Sequence, residues 1–408
     1  MKRFFVKKYI FAALFLVGWL TFSVANFILG NETWFSLLGD LKKVRSEKEL
    51  QEWVDDVEAE TSEGLLGSEK LIDIYGYVQK LFAKREFNSF SVIRDEDGML
   101  YYGSTWPLEV DDLKEYADRV DRLQEYVEER GAKLLVVLPP SKVLIGVSDV
   151  PRTWPVNDPN ARMDKLVTLL EQRDVDTVDL RITMQNTREP LERLFFKTDH
   201  HWTPLAGFYA AQEIVNQIKV RFGDDWDPSG TYTSLENYNS YTYEDCMLGS
   251  NGRNTGIVYS GKEDYTLLWP KFATDFTWTV YEGGEIEERS GDFTESLLDM
   301  SALEIDDWYE SSANRVYLGE VNDHDKIVNN YRPSAPKVKV LRDSYFSSTA
   351  SFLAPMCSEI EMMWTRAESE ECDSEAFVKE GDYDYLILEI YPYNYDDKSF
   401  DFFREPEQ

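Results

Sequence analysis

Only three histidines occur in the 408 residues, and two of them, His200 and His201, are adjacent. Asp199 stands two residues before His201, a spacing at which a carboxylate accepts the imidazole Nδ1 proton and fixes the tautomer. The other ring nitrogen is then left to act as a base. Ser344 follows Asp343 at the end of an apolar run and reads as lying on a sharp strand-to-helix turn. Such a turn presents the hydroxyl and sets helix N-terminal amides beside any oxyanion that forms there. In the chain order Asp199, His201, Ser344 these residues make a Ser-His-Asp set. The competing reading is that a serine after an aspartate at a strand end only caps the next helix.

The neighbouring residues are expected to differ in role. The His200 side chain should point away from that of His201, which favours a structural or substrate-facing place. A metal held by His200 and His201 is disfavoured, because adjacent residues seldom converge on one ion and only His324 remains as a third imidazole. No metal and no cofactor are expected. Trp202 reads as packing beneath the loop, with a substrate contact as the alternative. The aromatic side chains elsewhere, 14% of the chain, suit core packing first and a sugar-binding groove second.

The elements that must carry these residues alternate between strand and helix. Phe90–Ser104 reads as a hairpin around Asp97-Gly98. Leu113, Tyr116, Val120, Leu123 and Tyr126 recur at helical spacing up to Gly131. Leu134–Leu138 is an uninterrupted apolar run ending in Pro139-Pro140, as a buried parallel strand does. A helix near Met163–Glu171 and a short strand near Thr177–Leu180 follow, and Leu194–Phe196 leads into the Asp199 loop. Thr203 and Pro204 suit the N-cap and first position of the next helix. From about residue 223 to 333 helical periodicity fails and turns such as Asn251-Gly252 and Gly283-Gly284 recur, so a β-rich insertion is expected. Lys337–Leu341, Glu359–Trp364 and Tyr385–Ile390 are again strands, with an acidic helix near Ser374–Lys379. The pattern predicts an α/β fold, a parallel sheet with helices on both faces and reactive loops at the strand C-terminal ends.

Composition and charge place this domain in a setting. The 43 basic and 76 acidic residues give a formal −33, which excludes binding to a phosphate backbone. Lys2, Arg3, Lys7 and Lys8 precede an uncharged stretch from Tyr9 to Leu29, leaving a formal −37 on residues 31–408. The stretch is long enough to cross a hydrocarbon core, and its cationic flank should stay cytoplasmic. Residues 1–30 are therefore expected to be a transmembrane anchor, 31–85 a helical stalk and 86–408 an exported domain. A cleaved signal peptide is the rival reading, with Ser23 and Ala25 at the cleavage spacing. Cys246, Cys357 and Cys372 suggest buried thiols more than a disulfide framework, although a Cys357–Cys372 bond is permitted. The sequon Asn31-Glu32-Thr33 abuts the membrane and reads as incidental.

The segment Lys197-Thr198-Asp199-His200-His201-Trp202-Thr203 resembles the signature of the DHHW protein family. That family is related to the SGNH-hydrolase-like domains of bacterial alginate O-acetylation proteins, where the corresponding segment reads Asp-Thr-His-Trp. Ile93–Leu100 resembles the family's opening hairpin, Val137–Lys142 its strand ending in Pro-Ser-Lys, and Leu341–Phe346 its Gly-Asp-Ser-Phe nucleophile segment. The resemblance implies an SGNH-like fold in which Ser344 is the nucleophile, His201 the base and Asp199 its orienter. It also implies an anchored extracytoplasmic O-acetyltransferase of exported polysaccharide, supplied with acyl groups by a membrane-bound O-acyltransferase. Arg366 and Tyr395 are expected to contact the substrate. Arg342 stands where the family has Gly, which places a bulky cation near Ser344. A carbohydrate esterase with the same triad, or a non-catalytic glycan-binding partner of an acyltransferase, are the competing functions.

Overall fold

The computed structural model describes residue 13 and residues 16–24, 68–103, 113–148, 150–151, 153–310, 313–319, 321–367 and 372–404. The chain forms two compact units, Met1–Val78 and Gln79–Gln408. Residues 16–24 are helical, and no helix among the described residues is long and apolar enough to cross a membrane. The remainder of the expected anchor, the sequon and most of the expected stalk lie outside the described residues. The end of the stalk is a helix, Ser68–Leu81 (α1).

The second unit opens with a three-stranded antiparallel sheet, Glu86–Phe87 (β1), Val92–Arg94 (β2) and Leu100–Tyr102 (β3). The expected hairpin is thus present, with Gly98 at φ 91° in its loop, a conformation that favours glycine. The chain then alternates through Leu113–Glu129 (α2), Lys133–Leu138 (β4), Asn160–Glu171 (α3), Thr177–Asp179 (β5), Leu180–Thr187 (α4) and Pro204–Phe222 (α5). The Thr203 hydroxyl accepts the Ala206 amide with Pro204 in the first turn, so α5 starts where its cap signals lie. Next come Tyr238–Met247 (β6), Glu263–Pro270 (β7), Phe276–Glu282 (β8), Glu285–Gly291 (β9), His324–Asn329 (β10), Lys337–Arg342 (β11), Phe346–Leu353 (α6), Glu359–Trp364 (β12), Ser374–Lys379 (α7) and Tyr385–Glu389 (β13).

Eight strands form one sheet in the order β5-β4-β13-β11-β12-β10-β8-β9. The first five are parallel to their neighbours and the last three are antiparallel. Side chains alternate between the sheet's faces as the strand period requires. Leu135 and Val137 on β4, Val338 and Val340 on β11, and Ile387 on β13 pack into the core under α4, α5 and α6. Leu134, Val136, Leu341, Leu386 and Leu388 enter the opposite core under α2, α3 and α7. This double covering is what makes the central strands read as continuous apolar runs.

The region 223–333 divides its strands between two sheets. Strands β6 and β7 pair with each other, whereas β8, β9 and β10 extend the main sheet. Gly283 and Gly284, at φ 56° and 80°, make the two-residue turn between β8 and β9. Asn251-Gly252, expected as a turn, lies instead in the short helix Ser250–Thr255. Cys357 is buried as a thiol, while Cys246 and Cys372 are only half-buried.

Strand order reverses around β13. From β4 the chain moves outward to β5, and from β11 it moves outward to β12 on the other side. Crevices in open α/β sheets form at such a switch point, at the C-terminal ends of the strands. The loops following β4, β11 and β13 therefore converge, and they carry Lys142, Ser344 and Tyr391 respectively.

Candidate active site

The turn after β11 is shaped by Asp343. Its Oδ1 accepts the Tyr345 amide at 2.9 Å, and its Oδ2 accepts the Tyr391 amide at 2.6 Å and Asn394 Nδ2 at 3.0 Å. The buried aspartate therefore fixes the turn and ties it to the loop after β13, while no side chain caps the helix Phe346–Leu353. The next residue is half-buried and keeps its hydroxyl for another partner: Ser344 Oγ lies 2.7 Å from His201 Nε2.

His201 Nδ1 lies 2.6 Å from Asp199 Oδ1, and the same oxygen accepts the His201 amide at 2.9 Å. The second oxygen, Oδ2, accepts the Ser250 amide at 2.7 Å. Burial alone would raise the Asp199 carboxyl, but the imidazoles of His200 and His201 and the bonds from His201 hold it well below the usual range. The three residues that sequence spacing singled out are thus brought together at hydrogen-bond distance from 145 positions of chain, Asp199 to Ser344. In this order a base oriented by a carboxylate faces a hydroxyl, the geometry that activates a nucleophile.

The loop carrying Asp199 is held from three sides. Glu263, the first residue of β7, accepts the amides of Lys197 at 2.6 Å and Thr198 at 2.7 Å, together with the Thr198 hydroxyl. The Gly249 amide donates to Thr198 Oγ1 at 2.8 Å, and the Gly252 amide to Thr198 O at 2.8 Å. Lys142 Nζ donates to Leu100 O at 2.9 Å and Lys197 O at 3.2 Å, joining the Pro-Ser-Lys loop and the hairpin to the same segment. Burial draws the Lys142 ammonium down to about 8 despite Glu263, Asp199 and Asp95 nearby. Burial likewise raises Glu263 against the bonds from Thr198.

Gly249 has an ordinary φ of −76°, so its glycine is required by contact rather than by backbone conformation. A Cβ there would stand 2.2 Å from Asp199 Cβ and 2.5 Å from Asp199 Cα. The middle region of the chain therefore packs directly on Asp199.

Against expectation the rings of His200 and His201 lie 3.9 Å apart, because both turn toward Asp199 Oδ1, so pointing away from His201 is not the place taken by His200. Its Nδ1 lies 3.1 Å from Ser250 Oγ and its side chain remains 23% exposed. The enclosure around it, and the charge of His201, lower it to about 3. Ligand atoms of Asp199, His200 and His201 lie within 4.8 Å of one another. Both His201 nitrogens are engaged by Asp199 and Ser344, so a cation at this place would have to break those bonds. His324 pairs with Glu361 at 3.0 Å on β12, away from this cluster.

Two expected side-chain positions differ from the structure, and Trp202 takes the packing place read first for it. Tyr395 is wholly buried in the core beneath α2 and α3, with its ring edge-on to Phe400, and offers no face to a substrate. Trp202 is buried as well; its Nε1 donates to Tyr345 O at 2.9 Å, bracing the turn that follows Ser344. Arg342 does not stand near the Ser344 hydroxyl. It is the last residue of β11 and turns into the sheet, where Nη2 pairs with Asp325 Oδ1 of β10 at 2.9 Å, both side chains fully buried. The Trp278 indole donates to the other Asp325 oxygen at 2.9 Å. Arg366 is half-buried and ion-paired with Asp396.

A second carboxyl lies beneath the turn that carries Ser344. Glu389, the last residue of β13, is fully buried and its Oε2 accepts the Asp343 amide at 3.1 Å. Burial and the charge of Asp343 raise Glu389 well above the usual carboxylic range, favouring its protonated form. Sequence reading missed Glu389, Glu263, Gly249 and Ser250. The first two lie within strands, and the second two within what looked like a polar turn, so only long-range contact gives them a part in the site.

Residues 92–239 match the family model described as an SGNH hydrolase-like domain, acetyltransferase AlgX. The match covers the first strands of a mixed α/β fold with a central sheet and helices on both faces. Solved relatives of the chain include a DHHW family protein from Eubacterium siraeum, 17% identical with a TM-score of 0.54, matched over 76% of this chain and 93% of that one. PatB1 from Bacillus cereus, solved with a sulfonyl adduct, is 17% identical with a TM-score of 0.57, over 76% of this chain and 98% of its own. At this identity the likeness establishes a shared fold, and the resemblance drawn from the Asp-His-His-Trp segment meets a DHHW structure there. No curated relative matches the chain. The matched stretch includes Asp199 and His201, while Ser344 lies beyond it.

Proposed function

We propose that this protein is an O-acetyltransferase that modifies an exported or cell-surface polysaccharide through Ser344, His201 and Asp199. The observation that carries the reading is the 2.7 Å approach of Ser344 Oγ to His201 Nε2, with Asp199 behind the same ring. The family description, an acetyltransferase built on an SGNH hydrolase-like domain, supports the acetyl group as cargo.

In the first half-reaction Ser344 Oγ attacks the carbonyl carbon of an acetyl donor as its proton passes to His201 Nε2. The tetrahedral intermediate collapses, the donor's oxygen leaves with that proton, and acetyl-Ser344 remains. In the second, a sugar hydroxyl gives its proton to His201 and attacks the ester. The acetyl group moves to the sugar and the proton returns to Ser344. Asp199, held by His201 and Ser250, keeps the ring in the required tautomer and stabilises its transient charge.

The setting belongs to the same proposal. The cationic start and uncharged stretch Tyr9–Leu29 favour a single-pass anchor with the domain outside the cytoplasm, beside a membrane-bound O-acyltransferase as donor. External protease that removes the domain from intact cells supports this topology, and full protection refutes it.

Incubation with p-nitrophenyl acetate, followed by peptide mass mapping, tests the chemistry. An acetyl group on the Ser344 peptide, absent in Ser344→Ala, is the expected result. A folded protein that releases no p-nitrophenol and gains no acetyl group overturns the reading. Acetyl release to water with no transfer to any added oligosaccharide assigns the triad to an esterase.

A further inference from the structure

A narrow crevice opens beside the triad, bounded by Tyr102, Lys142, His200, Asn251, Tyr391 and Tyr393. The free space inside is about 10 Å³, room for one water-sized group. Asn251 is 1% exposed, and its Nδ2 has no hydrogen-bond partner among the described residues. A buried amide donor without a partner carries a desolvation cost that a ligand hydroxyl relieves.

The mouth of the crevice is aromatic. The rings of Tyr102 and His200 are 5.8 Å apart and Tyr102 meets Tyr393 edge-on at 5.2 Å. All three are partly exposed, whereas Tyr391, stacked on Tyr393 at 5.2 Å, is buried behind them. The His200 ring is 3.9 Å from that of His201, whose far nitrogen faces Ser344. A ligand seated at this mouth therefore lies along the flank of the base.

We propose that this crevice is a saccharide subsite. One sugar ring rests its C–H face on Tyr102, His200 and Tyr393 and inserts a neutral hydroxyl or hydroxymethyl group toward Asn251 Nδ2. Its place as the acceptor subsite rests on the acetyltransfer reading above; the binding of the sugar does not. A neutral hydroxyl fills a one-oxygen space without burying a charge there, and among the described residues the cation at its wall, Lys142, is already engaged by two carbonyls. Half-exposed aromatic rings with a wet edge and an apolar face suit such a ligand.

The test is calorimetric titration of the full-length Ser344→Ala protein with cellotetraose, so that turnover plays no part. Adding Asn251→Ala or Tyr102→Ala raises the Kd about fivefold or more, whereas Tyr102→Phe, which keeps the ring, stays within about twofold. A mannuronate tetramer binds more weakly than cellotetraose. Absence of cellotetraose binding, a Kd indifferent to Asn251→Ala, or tighter binding of the uronate each overturns the subsite. If binding follows the variants while the unmodified protein forms no acetyl-Ser344, the subsite stands and the transferase reading falls. If acetyl-Ser344 forms but cellotetraose does not bind, the reverse holds.

Discussion

The amide of Ser250 donates to Asp199 Oδ2 at 2.7 Å, so this carboxylate is hydrogen-bonded by a segment from the middle region rather than by its own loop alone. Asp199 thus has one oxygen committed to His201 and the other to Ser250. An acid fixed at both oxygens cannot turn away from the ring, which is the positioning that a base needs.

Replacing Asp199 by Asn is expected to keep the fold and lower turnover of p-nitrophenyl acetate about 10³–10⁴-fold, because the amide no longer enforces the tautomer. Ser344→Ala and His201→Ala should each bring the rate near background, and the double variant should be no worse than either alone. Additive losses would show that the residues do not act as a unit.

Gly249→Ala tests the contact between the middle region and the triad. With the new Cβ 2.2 Å from Asp199 Cβ, one of the two segments must move. Overpacking of this kind costs about 1–3 kcal/mol. The urea midpoint should fall and kcat with it, whereas Gly131→Ala, at a site with nothing within 4 Å, should lower stability without a selective loss of kcat.

Arg342 and Asp325 form a fully buried ion pair. Asp325→Ala leaves a guanidinium in the core and is expected to destabilise the domain by about 3–5 kcal/mol. Replacing both, as Arg342→Met with Asp325→Leu, should cost much less. Equal losses in the single and double variants would show that the charges are not coupled.

Glu389 gives a pH dependence of stability with a definite sign. Its carboxyl is raised in the folded protein, so the stability it contributes is complete below the unfolded value, about 4.3, and is lost as pH rises through the raised value. Glu389→Gln removes that slope. Melting temperatures measured from pH 4 to 9 should therefore shift in favour of Glu389→Gln as pH rises; parallel curves would remove Glu389 as the titrating group.

Much of the frame was legible because buried parallel strands and helix caps leave local marks. The runs at Leu134–Leu138 and Glu359–Trp364 and the Thr203-Pro204 start are such marks, and each coincides with an element. Asn251-Gly252 misled because the same residues suit a turn or the start of a short helix, and contact with Thr198 and Leu248 selects the helix. Tyr395 and Arg342 misled because polar tips suggest a surface, whereas the sheet buries both.

By itself the sequence determined the alternation of strands and helices, the acidic balance, and the residue types capable of acyl chemistry. These follow from local periodicity and from side-chain chemistry, which a chain carries wherever it folds. The tertiary structure alone decided that Ser344 meets His201, that Asp343 ties the turn after β11 to the loop after β13, and that Ser250, Gly249 and Glu263 hold the Asp199 loop. It also sent Arg342 into the sheet toward Asp325. Such pairings depend on strand order and on close approach between distant segments, and no spacing along the chain encodes them.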